Sequence, residues 1–124
     1  MRPILWRAMP EPLDPRCPVA RTLDIVGERW SFLILRDLVL HGPRKFSDFQ
    51  ASFGAISPNT LSARLKTLED GGVIQRRLYG EHPPRAEYVL TPKGAALRPV
   101  LRALRRWGDQ YAPRRRIAPA VAHD

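Results

Sequence analysis

Two short signals of one kind, Ser57-Pro58 and Thr91-Pro92, limit what this chain can build more than any other feature. In each, a hydroxyl side chain that can take up the unpaired N–H groups of a first helical turn stands before a proline. The fixed φ and missing donor of proline suit the first helical position. Two helices are therefore expected to open at these points. Between them, Gly71-Gly72 supplies a left-handed stop, and the residues that follow lose the helical period. Val73 to Tyr79 and Glu87 to Leu90 hold β-branched and aromatic residues, separated by Gly80, Glu81, His82, Pro83, Pro84 and Arg85. This pattern predicts a two-stranded hairpin with a mobile, basic tip.

The helix from Ser57 to about Asp70 has Leu61, Leu65 and Leu68 as its buried stripe. Upstream, Val19, Leu23 and Val26 fall at i, i+4 and i+7 on a helix from Pro18 that Gly27 can end. Trp30, Leu33, Ile34 and Leu38 mark a second helix running to His41, stopped by Gly42 and Pro43. Lys45 to Phe53 places Phe46, Phe49 and Phe53 on one side of a short third helix. After Thr91-Pro92, the residues Leu97, Val100, Leu101, Leu104, Trp107 and Tyr111 share an arc of roughly 120°, with Arg98, Arg102, Arg105 and Arg106 opposite. That stripe either completes the core or meets a second copy. Pro99 falls early in this helix, where its missing donor is harmless unless it kinks the chain. The order is four helices, a hairpin and a long helix: a mainly α (α+β) fold of the winged helix-turn-helix type, with about five helices and a two-stranded β-hairpin wing.

A chain of 124 residues fits one domain. The prolines at 3, 10, 12, 15 and 18 make residues 1–15 an expected flexible arm, residues 16–112 the domain, and residues 113–124 a flexible basic tail. With 44% hydrophobic residues the chain can bury a core and does not belong to the disordered class. Its 21 Lys and Arg against 12 Asp and Glu give a net charge of +9, which attracts a polyanion, either nucleic acid or an anionic membrane. No apolar run approaches the roughly 18 residues of a membrane span, and no hydrophobic signal segment follows the start, so a soluble, cytoplasmic protein without a membrane partner is expected. Its one cysteine, Cys17, excludes an internal disulfide and suits a reducing compartment.

A short helix, a turn, a second helix and a hairpin suit double-stranded DNA, because the major groove admits one α-helix whose side chains reach the base edges. On the helix from Ser57, the residues opposite the leucine stripe are Asn59, Ser62, Ala63 and Lys66. Asn59 suits an adenine edge, Ser62 donates or accepts, Ala63 allows close approach or a thymine methyl, and Lys66 suits a phosphate. Thr60 and the helix N-terminus at Ser57 suit a phosphate as well. Arg64 lies nearer the buried stripe, where a phosphate contact or a structural role is expected. The hairpin contributes Arg76, Arg77, His82 and Arg85 for a phosphate backbone or a minor groove. Each of these side chains is also ordinary on a solvated surface.

An enzyme would need a nucleophile, an acid–base pair or a metal set. His41, His82 and His123 stand far apart without zinc-like spacing, and no phosphate-binding glycine loop occurs. No catalytic residue, metal or cofactor is expected. A non-specific nucleic-acid or protein-interaction module remains the alternative, since the same fold serves those ends. Trp30 and the phenylalanines suit either a small-molecule effector or plain core.

The residues also resemble one family, the HxlR-type regulators, related in fold to the MarR group. Cys17-Pro18, Gly27 with Trp30, Leu33 to Leu38, Gly42-Pro43 and Phe46-Ser47-Asp48-Phe49 match its first half in order and spacing. Ile56-Ser57, Leu61-Ser62, Arg64-Leu65, Leu68-Glu69 and Gly72 are similar to its recognition-helix signature. Pro83-Pro84, Glu87-Tyr88, Leu90-Thr91, Gly94, Leu97, Pro99-Val100-Leu101 and Trp107 resemble its wing and dimerisation helix. The likeness covers about residues 16 to 112 and departs from the family at Pro58, where members commonly carry a polar or charged residue. It implies a homodimeric repressor or activator on a palindromic operator, joined through N-terminal and C-terminal helices, with Leu97, Val100, Leu101, Leu104, Trp107 and Tyr111 in the interface. Some members sense electrophiles or oxidants through a cysteine just ahead of the first helix. Cys17 occupies that place, beside Arg16 and one turn from Arg21, in the electropositive surroundings typical of reactive thiols. A small cap residue is the plainer reading of the same position.

Overall fold

Helices begin where a side chain or a proline deals with the first unpaired backbone donors. In the computed structural model, which describes residues 16–114, α1 (Pro18–Val26) follows Cys17 with proline in its first turn. α2 (Arg29–His41) follows Glu28, whose carboxylate accepts from the Trp30 N–H at 2.8 Å. α3 (Phe46–Phe53) follows Lys45, whose N–H donates to the Asp48 carboxylate at 2.8 Å. α4 (Pro58–Asp70) follows Ser57, whose Oγ accepts from the Thr60 N–H at 3.2 Å. β1 (Ile74–Glu81) and β2 (Pro84–Leu90) come next, then a single turn, α5 (Pro92–Ala95), and α6 (Arg98–Tyr111). Gly72, at φ 76°, makes the left-handed turn from α4 into β1 that a residue with a Cβ would resist.

The core gathers where α2, α3, α4 and the base of the hairpin meet. Ile34, Leu35, Leu38, Phe49, Leu61, Leu65, Leu68, Val73 and Ile74 are buried together, with Val26 from the end of α1. The leucine stripe of α4 is thus buried as its spacing predicts. Of the three phenylalanines of α3, Phe49 is fully buried, while Phe46 and Phe53 pack at the core's edge.

β1 and β2 pair antiparallel, from Ile74 opposite Leu90 to Glu81 opposite Pro84, with a slip in register between Leu78 and Gly80. Arg44 adds a further rung: its N–H donates to the Tyr88 carbonyl at 3.1 Å and its carbonyl accepts from the Tyr88 N–H at 2.7 Å. Asp37 lies beneath this rung, with its side chain 2% exposed. One carboxylate oxygen takes Arg36 Nη2 at 3.0 Å and the other takes Arg44 Nη2 at 3.3 Å.

Three details differ from the sequence pattern. The segment after Thr91 is two helices, not one. Thr91 Oγ1 accepts from the Gly94 N–H at 3.1 Å and donates to the Gly72 carbonyl at 2.6 Å, which ties α5 to the end of α4. Gly94 packs so closely that a Cβ there would meet the Val73 carbonyl oxygen. A break at residues 96–97 then puts Pro99 in the first turn of α6, where it needs no donor, so no kink is required. In α1, Ala20 and Val26 are buried, while Val19 and Leu23 face outward. The hairpin is longer than expected, and only His82 and Pro83 stand between the strands. Of the expected terminal segments, the arm at residues 1–15 lies outside the described residues. So does the tail beyond Arg114, and Pro113 and Arg114 follow α6 without regular structure.

Leu65→Ala is expected to lower the free energy of unfolding by about 2–5 kcal/mol through cavity formation. Asp37→Ala should lower it by about 2 kcal/mol, because two guanidinium groups lose their charged acceptor while keeping some contact with water. Urea unfolding followed by circular dichroism measures both, and an unchanged midpoint for Asp37→Ala would mean that the clamp adds no stability.

Candidate nucleic-acid interface

α4 has two chemically distinct sides. Leu61, Leu65 and Leu68 hold one side in the core, and Asn59, Ser62, Ala63 and Lys66 on the other are exposed. Thr60 and Arg64 lie between them and are half-buried. Ser57 is exposed but engaged locally: besides capping Thr60, its hydroxyl donates to Thr60 Oγ1 at 2.9 Å. Lys66 Nζ lies 3.1 Å from Asp70, one turn later. That hydrogen bond raises the lysine's pKa above its ordinary value.

The hairpin follows α4 directly, and Arg76, Arg77, His82 and Arg85 are all exposed on it. Successive residues of a strand point to opposite faces, so Arg76 and Arg77 do not share one. Arg76 pairs across the strands with Tyr88, on the face where Tyr88 packs 6.3 Å from the Phe49 ring. Burial pushes the Tyr88 phenol above its ordinary pKa, opposed by the nearby Arg76 charge. Arg77 lies on the other face, where its Nε meets Glu87 at 2.9 Å and part of its charge is neutralised. His82 stands in the turn, and Arg85 sits opposite Gly80 near the tip.

The apolar residues of α6 and of its cap position, Leu97, divide into two groups. Leu97 and Leu101 are half-buried against the protein's own core. Val100, Leu104, Trp107 and Tyr111 are exposed, the last two each 62% accessible, with ring centroids 5.3 Å apart. Val19 and Leu23 of α1 are exposed as well. Cys17 is half-buried at the cap position of α1; its carbonyl accepts from the Arg21 N–H at 3.0 Å, and its thiol makes no capping bond.

The arrangement presents donors and acceptors on a convex helix beside a basic hairpin, which suits recognition more than reaction. Among the described residues, no three His, Cys, Asp or Glu side chains gather as a metal-binding group, and no helix is long and apolar enough to cross a membrane. The sequence reading missed the role of Asp37 with Arg36 and Arg44. Its signal was available, since Asp37 lies between Ile34 and Leu38 on the apolar side of α2, where a carboxylate needs charged partners.

Comparison with known proteins supplies the context. The family model described as HxlR-like helix-turn-helix matches residues 25–116. The HTH-type transcriptional regulator YdeP of Bacillus subtilis (strain 168) is 39% identical over 98 residues, which is 79% of this chain and 76% of YdeP. Among solved structures, the redox regulator HypR in its reduced form superposes with a TM-score of 0.72 at 31% identity, covering 76% of this chain and 92% of HypR. The reduced form of the transcriptional regulator YodB from B. subtilis gives 0.67 at 34% identity, covering 77% and 94%. HypR is also described in an oxidised form, and YodB after diamide treatment.

Since Ser57 closes the start of α4, Ser57→Ala should cost about 1 kcal/mol of stability. Thermal unfolding at neutral pH reads this, and a loss well below that would mean that Pro58 alone sets the helix start.

Proposed function

The chain belongs to the HxlR-like helix-turn-helix family of transcriptional regulators, and from that premise we propose that it is a cytoplasmic, sequence-specific regulator binding a palindromic duplex as a homodimer. The carrying observation is the two-sided character of α4. Its leucines are fixed in the core, its outward residues are exposed, and a basic hairpin follows at once. In this reading Asn59, Ser62 and Ala63 face base edges. Thr60, Arg64 and Lys66 contact phosphates together with the N–H groups beside Ser57. The hairpin adds Arg76, His82 and Arg85, and Arg77 to the extent that it leaves Glu87.

The homodimer accounts for the outward apolar surface. Val100, Leu104, Trp107 and Tyr111 follow one another along an arc of α6, and Leu97 and Leu101 anchor that helix to its own core. A two-fold axis through this surface places two copies of α4 on successive major grooves. We also propose that Cys17 is a thiol sensor for oxidants or electrophiles. Its place at the start of α1, near the outward residues of that helix, would let its modification act on the dimer. The likeness to a redox regulator supports this reading.

Selection of genomic fragments with the purified protein at physiological salt, then fluorescence anisotropy against scrambled duplex, tests the reading. A two-fold-symmetric site preferred roughly a thousandfold is expected. Equal binding to scrambled duplex would instead favour a charge-driven interaction module. On the selected site, Asn59→Ala should cost about 1–3 kcal/mol and relax the preference at one base pair, whereas Lys66→Ala should weaken all sequences alike and lower the salt slope by about one. Leu104→Glu should yield monomers in sedimentation and lose operator binding; a stable dimer would place the interface elsewhere. Release of the operator by diamide should disappear in Cys17→Ser, and release that persists would remove Cys17 from the sensing role.

A further inference from the structure

An open cavity of about 790 Å³ lies between α2 and α3, a volume within the usual range for small-molecule sites. Its lining includes Arg29, Trp30, Arg36, Arg44, Ala51 and Phe53. One part of the wall is aromatic. The Trp30 and Phe53 rings stand 5.3 Å apart between centroids, close enough to form a joint surface with no room for a third ring between them. Arg29 extends over the Trp30 ring, its guanidinium carbon 5.3 Å from the centroid.

The rest of the wall carries surplus positive charge. Asp37 and Asp48 also line the cavity, but both are engaged. The two oxygens of Asp37 are taken by Arg36 and Arg44, and Asp48 accepts from the Lys45 N–H. A guanidinium has five N–H donors, and those bonds use one from each arginine. Arg44 Nε is buried and has no acceptor among the described residues. Arg29 has no carboxylate within ion-pair distance among them either. The cavity therefore combines two aromatic rings tilted 40° to one another with unused guanidinium donors that reach solvent on Arg29 and Arg36, and a ligand complementary to both is an aromatic ring bearing a negative charge.

We propose that this cavity binds a small aromatic carboxylate, its ring against Trp30 and Phe53 and its carboxylate towards the arginines, and that occupancy changes DNA affinity. The path to the interface is short. Phe53 stacks 6.0 Å from Phe49, which is fully buried in the core that holds Leu61 and Leu65 of α4. A ligand pressing on Phe53 thereby acts on the packing that sets the position of α4. The binding step stands on the cavity alone; the effect on DNA rests on the regulator reading above.

Calorimetry on the full chain with 2-naphthoate and benzoate, against 2-naphthamide as the neutral control, tests the binding step. Binding of 2-naphthoate is expected, with the amide weaker by about tenfold or more. Arg29→Glu should weaken the acid by a similar factor. Ala51→Trp, an exposed position on α3, should fill the cavity and abolish binding while the circular dichroism spectrum and unfolding midpoint stay unchanged. The absence of binding by both acids at millimolar concentration, equal binding of the amide, or full binding in Ala51→Trp or Arg29→Glu would each overturn the assignment. Anisotropy on the selected operator then tests the effect: saturating 2-naphthoate should shift DNA affinity about fivefold or more in the natural protein and leave Ala51→Trp unmoved. Binding without that shift would overturn the effector role. A protein that binds the acid but recovers no operator would overturn the regulator reading and the effector role with it, while the calorimetric result for the cavity would stand.

Discussion

One buried charge ties the hairpin to the helices. Asp37 stands in the apolar side of α2, where an unpaired carboxylate would be intolerable, and each of its oxygens is taken by a guanidinium. One of these belongs to Arg44, whose backbone is bonded in both directions to Tyr88 of β2. The clamp therefore joins α2, the start of α3 and the hairpin through one residue. It is directional where leucine packing is not, and so it fixes orientation as well as proximity. The same guanidinium forms part of the wall of the cavity between α2 and α3, so structure and proposed ligand chemistry share a single set of charges.

A second constraint acts at the base of the hairpin. Thr91 Oγ1 bonds the Gly72 carbonyl at the end of α4 and receives the Gly94 N–H at the start of α5. The cap-and-proline signal that opens α5 is thus linked through space to the glycine stop that ends α4. Because the leucines of α4 are held from below and its C-terminal end is held by Thr91, its outward face is presented on a supported element. A convex face of this kind suits groove recognition, which requires side chains kept in register with base edges.

The outward apolar residues have a different meaning from the core. Val100, Leu104, Trp107 and Tyr111 lie at helical spacing on α6, and aromatic residues of this kind carry a large part of the energy of protein interfaces. Under the homodimer proposal, their exposure beside the half-buried Leu97 and Leu101 lets one helix serve two ends. Its inner edge attaches it to the domain, and its outer edge is exposed. Under the homodimer proposal, assembly and DNA geometry are then coupled through the same helix.

Much of this was legible in the residues. The cap and proline at Ser57-Pro58, the leucine spacing of α4, the glycine stop and the strand-like run after it identify α4, the turn that ends it and β1, because each rests on local backbone chemistry. The family likeness was readable for the same reason, in ordered positions along the chain. Other features were settled only by packing. Periodicity grouped Val19 and Leu23 with Val26, and Leu97 with the five apolar residues Val100, Leu101, Leu104, Trp107 and Tyr111 of α6, yet burial separates them, because a stripe marks a possible contact and not which surface arrives to cover it. The break before Arg98, the two-residue turn at His82-Pro83 and the pairing of Arg77 with Glu87 depend on strand register and on close approaches such as Gly94 to Val73. Sequence alone determined where the helices and the hairpin lie along the chain and which way the leucines of α4 face. Tertiary structure decided which charges are engaged and which apolar surface remains open, because those outcomes depend on distances between residues far apart in the chain.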